Sequence, residues 1–219
     1  MSKIHNYAGQ QIDVSYDAKR CIHAAECVKR LSAVFDNQKR PWVQPDQASA
    51  EAIVETVHLC PSGALHYERK DGGEAEPAPA ANTVQPVADG PVYVRGTLTL
   101  ANGSDEVTMR ETRLALCRCG LSQNKPFCDN SHQKAEFRAP AGIVNPERQT
   151  SETLENPGGE LTIKVNPNGS LRLTGNFAVL DADGESVFTS QRQWLCRCGG
   201  SQNKPFCDGT HKTNGFQAT

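Results

Sequence analysis

Cys117, Cys119, Cys128 and His132 recur as Cys196, Cys198, Cys207 and His211. The segment CRCGLSQNKPFCDNSH returns as CRCGGSQNKPFCDGTH, identical at 13 of 16 positions. Both copies carry the order C-x-C-x8-C-x3-H. Three thiolates and one imidazole at fixed spacing describe a metal centre, and the duplication makes two. The remaining cysteines, Cys21, Cys27 and Cys60, form a different triplet, followed by Pro61. All nine cysteines thus fall into three sets of three, which is most economically read as three iron–sulfur clusters.

The spacing says how the ligands must be held. Cys128 and His132 lie at i and i+4, which share a face on a helix and can hold one metal atom. Cys117 and Cys119 can hold a neighbouring atom if the chain kinks between them. Two ligands per metal atom suit a [2Fe-2S] rhomb. Gly120 and Gly199 would let the backbone pass close to sulfide. Ser122, Ser201, Asp129 and Asp208 are placed to hydrogen-bond around the ligands. A zinc knot of three cysteines and one histidine remains the alternative, although C-x-C is tighter than the usual zinc knuckle.

Strands are expected to run into each C-x-C, and Pro126 and Pro205 suit the first turn of short helices carrying Cys128 with His132 and Cys207 with His211. A shift of 79 positions aligns Val92–Ala139 on Leu171–Ala218 without a gap, so the repeat is larger than the metal motif. Alternating stretches at Tyr93–Leu100 and Leu171–Leu180 read as strands. Two copies in one chain suggest an intramolecular pseudo-dimer. Upstream, residues 1–72 read as a small α+β unit: a strand through Ile12, Val14 and Tyr16, a short helix from Cys27 to Phe35, an extended Pro41-Trp42-Val43, a helix capped by Ser49 through Val57, and a second strand from Ala64 to Arg69. Residues 73–90, rich in Pro, Ala and Gly, read as a linker. The predicted plan is therefore α+β: residues 1–72, the 73–90 linker, a first repeat at 91–139, a connection at 140–160 and a second repeat at 161–219.

With 37% hydrophobic residues and a mean hydropathy of −0.56, cores must be thin, a condition under which small domains recruit metals. Net charge is −2, and residues 77–219 carry fourteen basic and fourteen acidic side chains. No basic stripe calls for nucleic acid, and no apolar run approaches a membrane span. Nine cysteines without a secretory signal fit metal binding in a cytoplasmic protein better than disulfides.

The repeated motif C-x-C-x2-S-x3-P-x-C-D-x-[ST]-H resembles that of the CDGSH iron–sulfur family, the mitoNEET type. Cys117, Cys119, Ser122, Pro126, Cys128, Asp129, Ser131 and His132 match in one copy; Cys196, Cys198, Ser201, Pro205, Cys207, Asp208, Gly209, Thr210 and His211 match in the other. Asn130 departs from the family's Gly, but Asn tolerates a left-handed backbone. The resemblance covers residues 91–219 and implies two [2Fe-2S] clusters, each with three Cys and one solvent-facing His. CIHAAECVKR…PWVQP…LCPSGALHYE, within residues 10–70, resembles a divergent single-cluster ferredoxin domain. There Cys21, Cys27 and Cys60-Pro61 take three of the four ferredoxin positions, and Ala24 replaces the middle cysteine. Three thiolates suffice for [3Fe-4S]; a [4Fe-4S] cluster needs His23, Glu26 or water to complete it. His5, His58 and His66 read as ordinary polar residues.

The chain shows no nucleophile–base constellation, phosphate loop or nicotinamide fingerprint, so an enzyme is not expected. The leading expectation is a soluble, monomeric one-electron carrier with a soluble redox partner and no contact with nucleic acid or membrane. The alternatives are a cluster donor or storage protein acting on an apo-protein acceptor, a redox- and pH-sensing protein, and a zinc-dependent interaction module. Sensing is plausible on chemical grounds because a ligating imidazole nitrogen must be unprotonated.

Overall fold

Ile12 and Val14 alternate with polar residues, and both are buried on one face of a short strand. The computed structural model describes residues 4–218, which divide into two units between Pro77 and Ala78. In the first, β1 (Ile4–Tyr7), β2 (Ile12–Asp17) and β3 (Leu65–Arg69) form an antiparallel sheet in the order β1-β2-β3. α1 (Glu26–Arg30) is shorter than the helix expected from Cys27 to Phe35, because Leu31 leaves helical geometry at φ −138° and ψ 62°. α2 (Ala50–His58) starts where Ser49 accepts a hydrogen bond from the Ala52 amide at 3.3 Å. Its buried Ile53 and Val57 join Val14 and Phe35 in one core.

The second unit is a six-stranded sheet. β5 (Val92–Ala101) and β6 (Val107–Leu116) make one hairpin; β8 (Leu171–Leu180) and β9 (Ser186–Leu195) make the other. Two short strands stitch them together. β4 (Thr83–Pro86) runs antiparallel to β5 and parallel to β8. β7 (Glu160–Val165) runs antiparallel to β8 and parallel to β5. Val84, Leu98, Leu161 and Phe177, one from each of these four strands, bury their side chains in one core. The single-turn α3 (Ser131–Lys134) lies beyond β6.

This corrects the reading of residues 73–90 as linker. The second half of that stretch is β4, and Asn82, beside it, is fully buried. Its Nδ2 donates to the carbonyls of Gly159 at 2.9 Å and Asn176 at 2.8 Å, and its Oδ1 accepts from the Thr97 amide at 3.0 Å. The side chain occupies the bulge where β5 breaks register. A Cβ on Gly96, at φ 144°, would collide with Asn82 Oδ1. Asn82 therefore satisfies backbone groups of β5, β8 and the connection at once, groups that would otherwise be buried and unpaired.

Asn82→Ala is expected to destabilise the second unit by about 3 kcal/mol, since removing one partner strands several buried polar groups. Urea unfolding followed by circular dichroism checks this. An unchanged midpoint would show that the three hydrogen bonds carry no net stability.

Candidate metal centres

Each C-x-C sits where a strand ends and the chain folds back on it. After β6, Cys117 donates its amide to the Pro126 carbonyl at 2.8 Å, and Cys128 donates to Ala115 at 2.9 Å. After β9, Cys196 donates to Pro205 at 2.7 Å and Cys207 to Trp194 at 2.8 Å. These crossings return the third cysteine to the first two. Ser122 and Ser201 brace the loops by donating to the carbonyls of Phe127 and Phe206, both at 2.7 Å. Asp129 and Asp208 accept from the amides of Gln123 at 2.7 Å and Gln202 at 2.8 Å.

The ligand side chains come together as pairs. Cys117 Sγ lies 3.7 Å from Cys119 Sγ, and Cys128 Sγ lies 3.5 Å from His132 Nδ1. In the second copy the distances are 3.9 Å for Cys196–Cys198 and 3.4 Å for Cys207–His211. Two ligands on one tetrahedral metal atom, with metal–sulfur bonds near 2.3 Å, stand about 3.8 Å apart. Each pair therefore has the edge length of a tetrahedron around one metal atom. Among the described residues, no three or more His, Cys, Asp or Glu side chains are arranged around a single ion.

The helix expected to carry Cys128 with His132 is corrected. Cys128 precedes α3, and the two ligands meet through a turn at Asn130, φ 68°, where the second copy has Gly209, φ 88°. The Asn130 and Gly209 amides donate to Cys128 and Cys207 sulfur, each at 3.4 Å. Gly120 and Gly199 also act differently from expectation, by letting the two C-x-C loops touch. A Cβ on Gly120 would stand 2.5 Å from the Cys198 carbonyl oxygen, and one on Gly199 would collide with that of Cys119.

Thiol chemistry favours anionic ligands. The hydrogen bond from Cys119 lowers the Cys117 pKa to about 6 and raises that of Cys119. The same bond in the second copy lowers Cys198 to about 5 and raises Cys196. In each pair, one sulfur is ready as thiolate and the other waits for a metal to displace its proton. Burial pushes Cys128 up to about 11 and lowers His132, keeping that imidazole neutral as a ligand must be.

Sequence reasoning passed over the residue inside each C-x-C. Arg118 and Arg197 are each only 1% exposed. Arg118 donates to the carbonyls of Gly90 at 3.0 Å, Pro140 at 2.9 Å, Ala139 at 3.3 Å and Val87. Carbonyls satisfy its N–H groups but do not neutralise its charge. The groups whose charge bears on it are Cys196 of the other copy, Asp89 and Cys119, the two sulfurs becoming anions only once a metal displaces their protons, while Cys117 acts on Arg197. A buried cation needs such partners, and an anionic cluster held by these cysteines fits that requirement. The signal was available: the same charged residue recurs inside the ligand motif.

In the first unit, Cys21, Cys27 and Cys60 line one cavity with Ala24, Tyr16 and Trp42. His23 and Ala25, at φ 53° and 63°, curl the Cys21–Cys27 loop around it. Arg20 donates to the Ser62 carbonyl at 2.7 Å, tying the Cys60 loop to the Cys21 loop. Burial, then the nearby Cys60, raise the Cys27 pKa to about 11. Of the residues considered for a fourth ligand, Glu26 lines the cavity but binds Arg30 at 2.8 Å. His23 is exposed in an adjoining groove with Arg40, its Nδ1 3.9 Å from Cys21 Sγ. His66 pairs with Glu76 at 2.8 Å, and His58 lies 3.4 Å from the Tyr67 hydroxyl.

The contact of the two C-x-C loops generates a crossed prediction. Gly199→Ala, in the second copy, is expected to weaken metal retention at the first centre too, because its methyl group strikes Cys119. Iron per chain and visible absorbance after purification check it. Loss confined to one centre would show that the loops do not constrain each other.

Residues 7–70 match the family described as "Divergent 4Fe-4S mono-cluster". Residues 89–133 and 168–212 each match "Iron-binding zinc finger CDGSH type". The N-terminal part is 36% identical over 64 residues to the "Uncharacterized protein YjdI" of Escherichia coli strain K12, and equally to that of Escherichia coli O157:H7. The aligned stretch is 29% of this chain and 84% of the relative in each case. No solved structure matches the chain. With both of its duplicated ligand sets inside matched segments, the chain carries two CDGSH-type domains in tandem, preceded by a divergent 4Fe-4S mono-cluster domain.

Proposed function

We propose that this chain is a one-electron carrier, not an enzyme, holding two [2Fe-2S] clusters and one cubane-type cluster. The observation that carries the reading is the pairing of ligands at tetrahedral-edge distances. Two metal atoms with two protein ligands each describe a dinuclear centre, whereas a structural zinc site gathers four ligands on one ion. The ligands are Cys117, Cys119, Cys128 and His132, then Cys196, Cys198, Cys207 and His211. When bound, the clusters supply the one-electron chemistry, while the chain fixes the ligands, buries the first centre and sets Arg118 and Arg197 beside the anionic sulfurs.

The pairing of β4 with β8 and of β7 with β5 supports reading the second unit as a pseudo-two-fold dimer of repeats. In the ferredoxin-like first unit, Cys21, Cys27 and Cys60 hold the third cluster. Ala24 offers no thiolate, so a [4Fe-4S] cluster held by Cys21, Cys27 and Cys60 would lack one protein ligand, and loss of the iron without a thiolate would leave [3Fe-4S]. The partner is a soluble redox protein. No described helix is long and apolar enough to cross a membrane. A second reading, cluster donation to an apo-protein, is favoured by the half-buried His211, an imidazole ligand in reach of solvent.

Metal analysis of fully loaded protein is expected to give seven or eight irons per chain, and stoichiometric zinc would refute the assignment. Incubation with an apo-ferredoxin separates the two readings: a carrier retains its clusters, and a donor gives them up. Electron paramagnetic resonance after ferricyanide treatment is expected to show an oxidised three-iron signal in the wild type and none in Ala24→Cys. Persistence of that signal in the variant would count against Ala24 standing at the position of the missing ligand.

A further inference from the structure

The two CDGSH centres share their ligands, the intervening arginines and the loop lysines, Lys125 and Lys204. Those common features cancel in any comparison. Among the other equivalent positions that differ, Asn130 stands where the second copy has Gly209, its Oδ1 4.0 Å from Cys128 sulfur, and three further pairs bear on the second centre. Gly200 stands where the first copy has Leu121, Asn214 where it has Ala135, and Ser170 where it has Pro91.

In the second copy these three act on the ligand sulfurs. The Asn214 side chain lies beside the Cys198 loop and, as a polar neighbour, favours the anionic form of that sulfur. It lies across Gly200: a Cβ there would stand 2.8 Å from Asn214 Nδ2 and 2.7 Å from Thr210 Cγ2. The Gly200 amide donates to the same sulfur at 3.4 Å, as the Leu121 amide does to Cys119, so that contact is common to both centres. Ser170, itself buried, hydrogen-bonds Cys207. Its oxygen accepts from Asn166 Nδ2 at 3.4 Å, so its hydroxyl hydrogen is free to donate to another acceptor. In the first copy Ala135 and Pro91 have no side-chain donor, and the Leu121 side chain turns out to solvent. Access to water differs as well. Cys119, Cys128 and His132 are 8%, 3% and 9% exposed, whereas Cys198, Cys207 and His211 are half-buried.

Adding an electron to a cluster places more negative charge on its sulfurs. Donors aimed at those sulfurs and nearby water stabilise the reduced form more than the oxidised form, and both raise the potential. We propose that the centres are inequivalent: the second, tuned by Asn214 and Ser170, is the higher-potential site on which a single added electron resides, and through its open side that electron leaves to a partner. This rests on the [2Fe-2S] reading above. The electron comes from a one-electron donor, for which dithionite stands in the test, and one electron reduces one cluster.

Full-length protein is titrated with dithionite and the reduced [2Fe-2S] signals are followed by electron paramagnetic resonance. Two one-electron steps are expected, with the second centre favoured at least about tenfold, or 59 mV for one electron. Asn214→Ala, an exposed position, is expected to lower the upper step by about tenfold and leave the lower step in place. The reciprocal double variant Leu121→Gly with Ala135→Asn is expected to raise the lower step. Coincident steps in the wild type, or a shift of the lower step in Asn214→Ala, would overturn the inequivalence while leaving the functional reading intact. Absence of [2Fe-2S] clusters from the loaded protein would overturn both.

Discussion

Two guanidinium groups buried between ligand cysteines set the terms for the rest of the second unit. Desolvating a cation costs several kcal/mol unless anions and hydrogen bonds compensate. Backbone carbonyls supply the hydrogen bonds to Arg118, but a carbonyl carries no net charge. The ligand sulfurs, including those of the other repeat, would supply the charge once a metal has displaced their protons. A cluster that keeps every cysteine deprotonated would compensate more fully than free thiols, four of whose six sulfurs prefer their protons. Metal binding and folding are then coupled, since the buried arginines are best accommodated when the centres are complete.

The arginines also lock the repeats together. Phe137 lies under Arg118 of its own copy at 5.5 Å and Lys204 of the other at 5.7 Å. Phe216 lies under Arg197 at 5.7 Å and Lys125 at 5.9 Å. Each aromatic ring is thus shared by cations from both copies. Strand exchange in the sheet and contact of the two C-x-C loops work in the same direction. Neither hairpin could be removed without opening the core and exposing a ligand loop.

How much of this was legible follows from range. The ligand sets, the 79-residue repeat and the strands running into each C-x-C are local signals, and the sequence carries them openly. Arg118, Phe137 and Lys204 recur at the same offset, so their importance was visible, though not the fact that they meet across copies. The β4 strand was hidden because its apolar content is little more than Val84, within a stretch dominated by Pro and Ala. Its place is fixed by pairing with residues nearly a hundred positions away and by Asn82, whose three bonds have no sequence signature. The Cys128–His132 spacing fits a helix and a capped turn equally, and the left-handed Asn130 decides for the turn. In the first unit, Ala24 announced the missing thiolate, but the strained His23 and Ala25 backbone that wraps the cavity did not.

Duplication within one chain has a consequence that assembly of two identical chains cannot reproduce. A symmetric dimer carries the same residue at both equivalent positions, so any change tunes both centres alike. Once the copies are covalently joined, each position can differ while the shared sheet and crossed cations hold the geometry. The differences here avoid the ligands, the arginines and the aromatic rings, which the mutual packing constrains. Several fall beside the sulfurs instead, at Gly200, Asn214 and Ser170, where a side chain changes the electrostatics of a centre without moving its ligands. The constraint that makes the repeats interdependent therefore also defines where they are free to diverge.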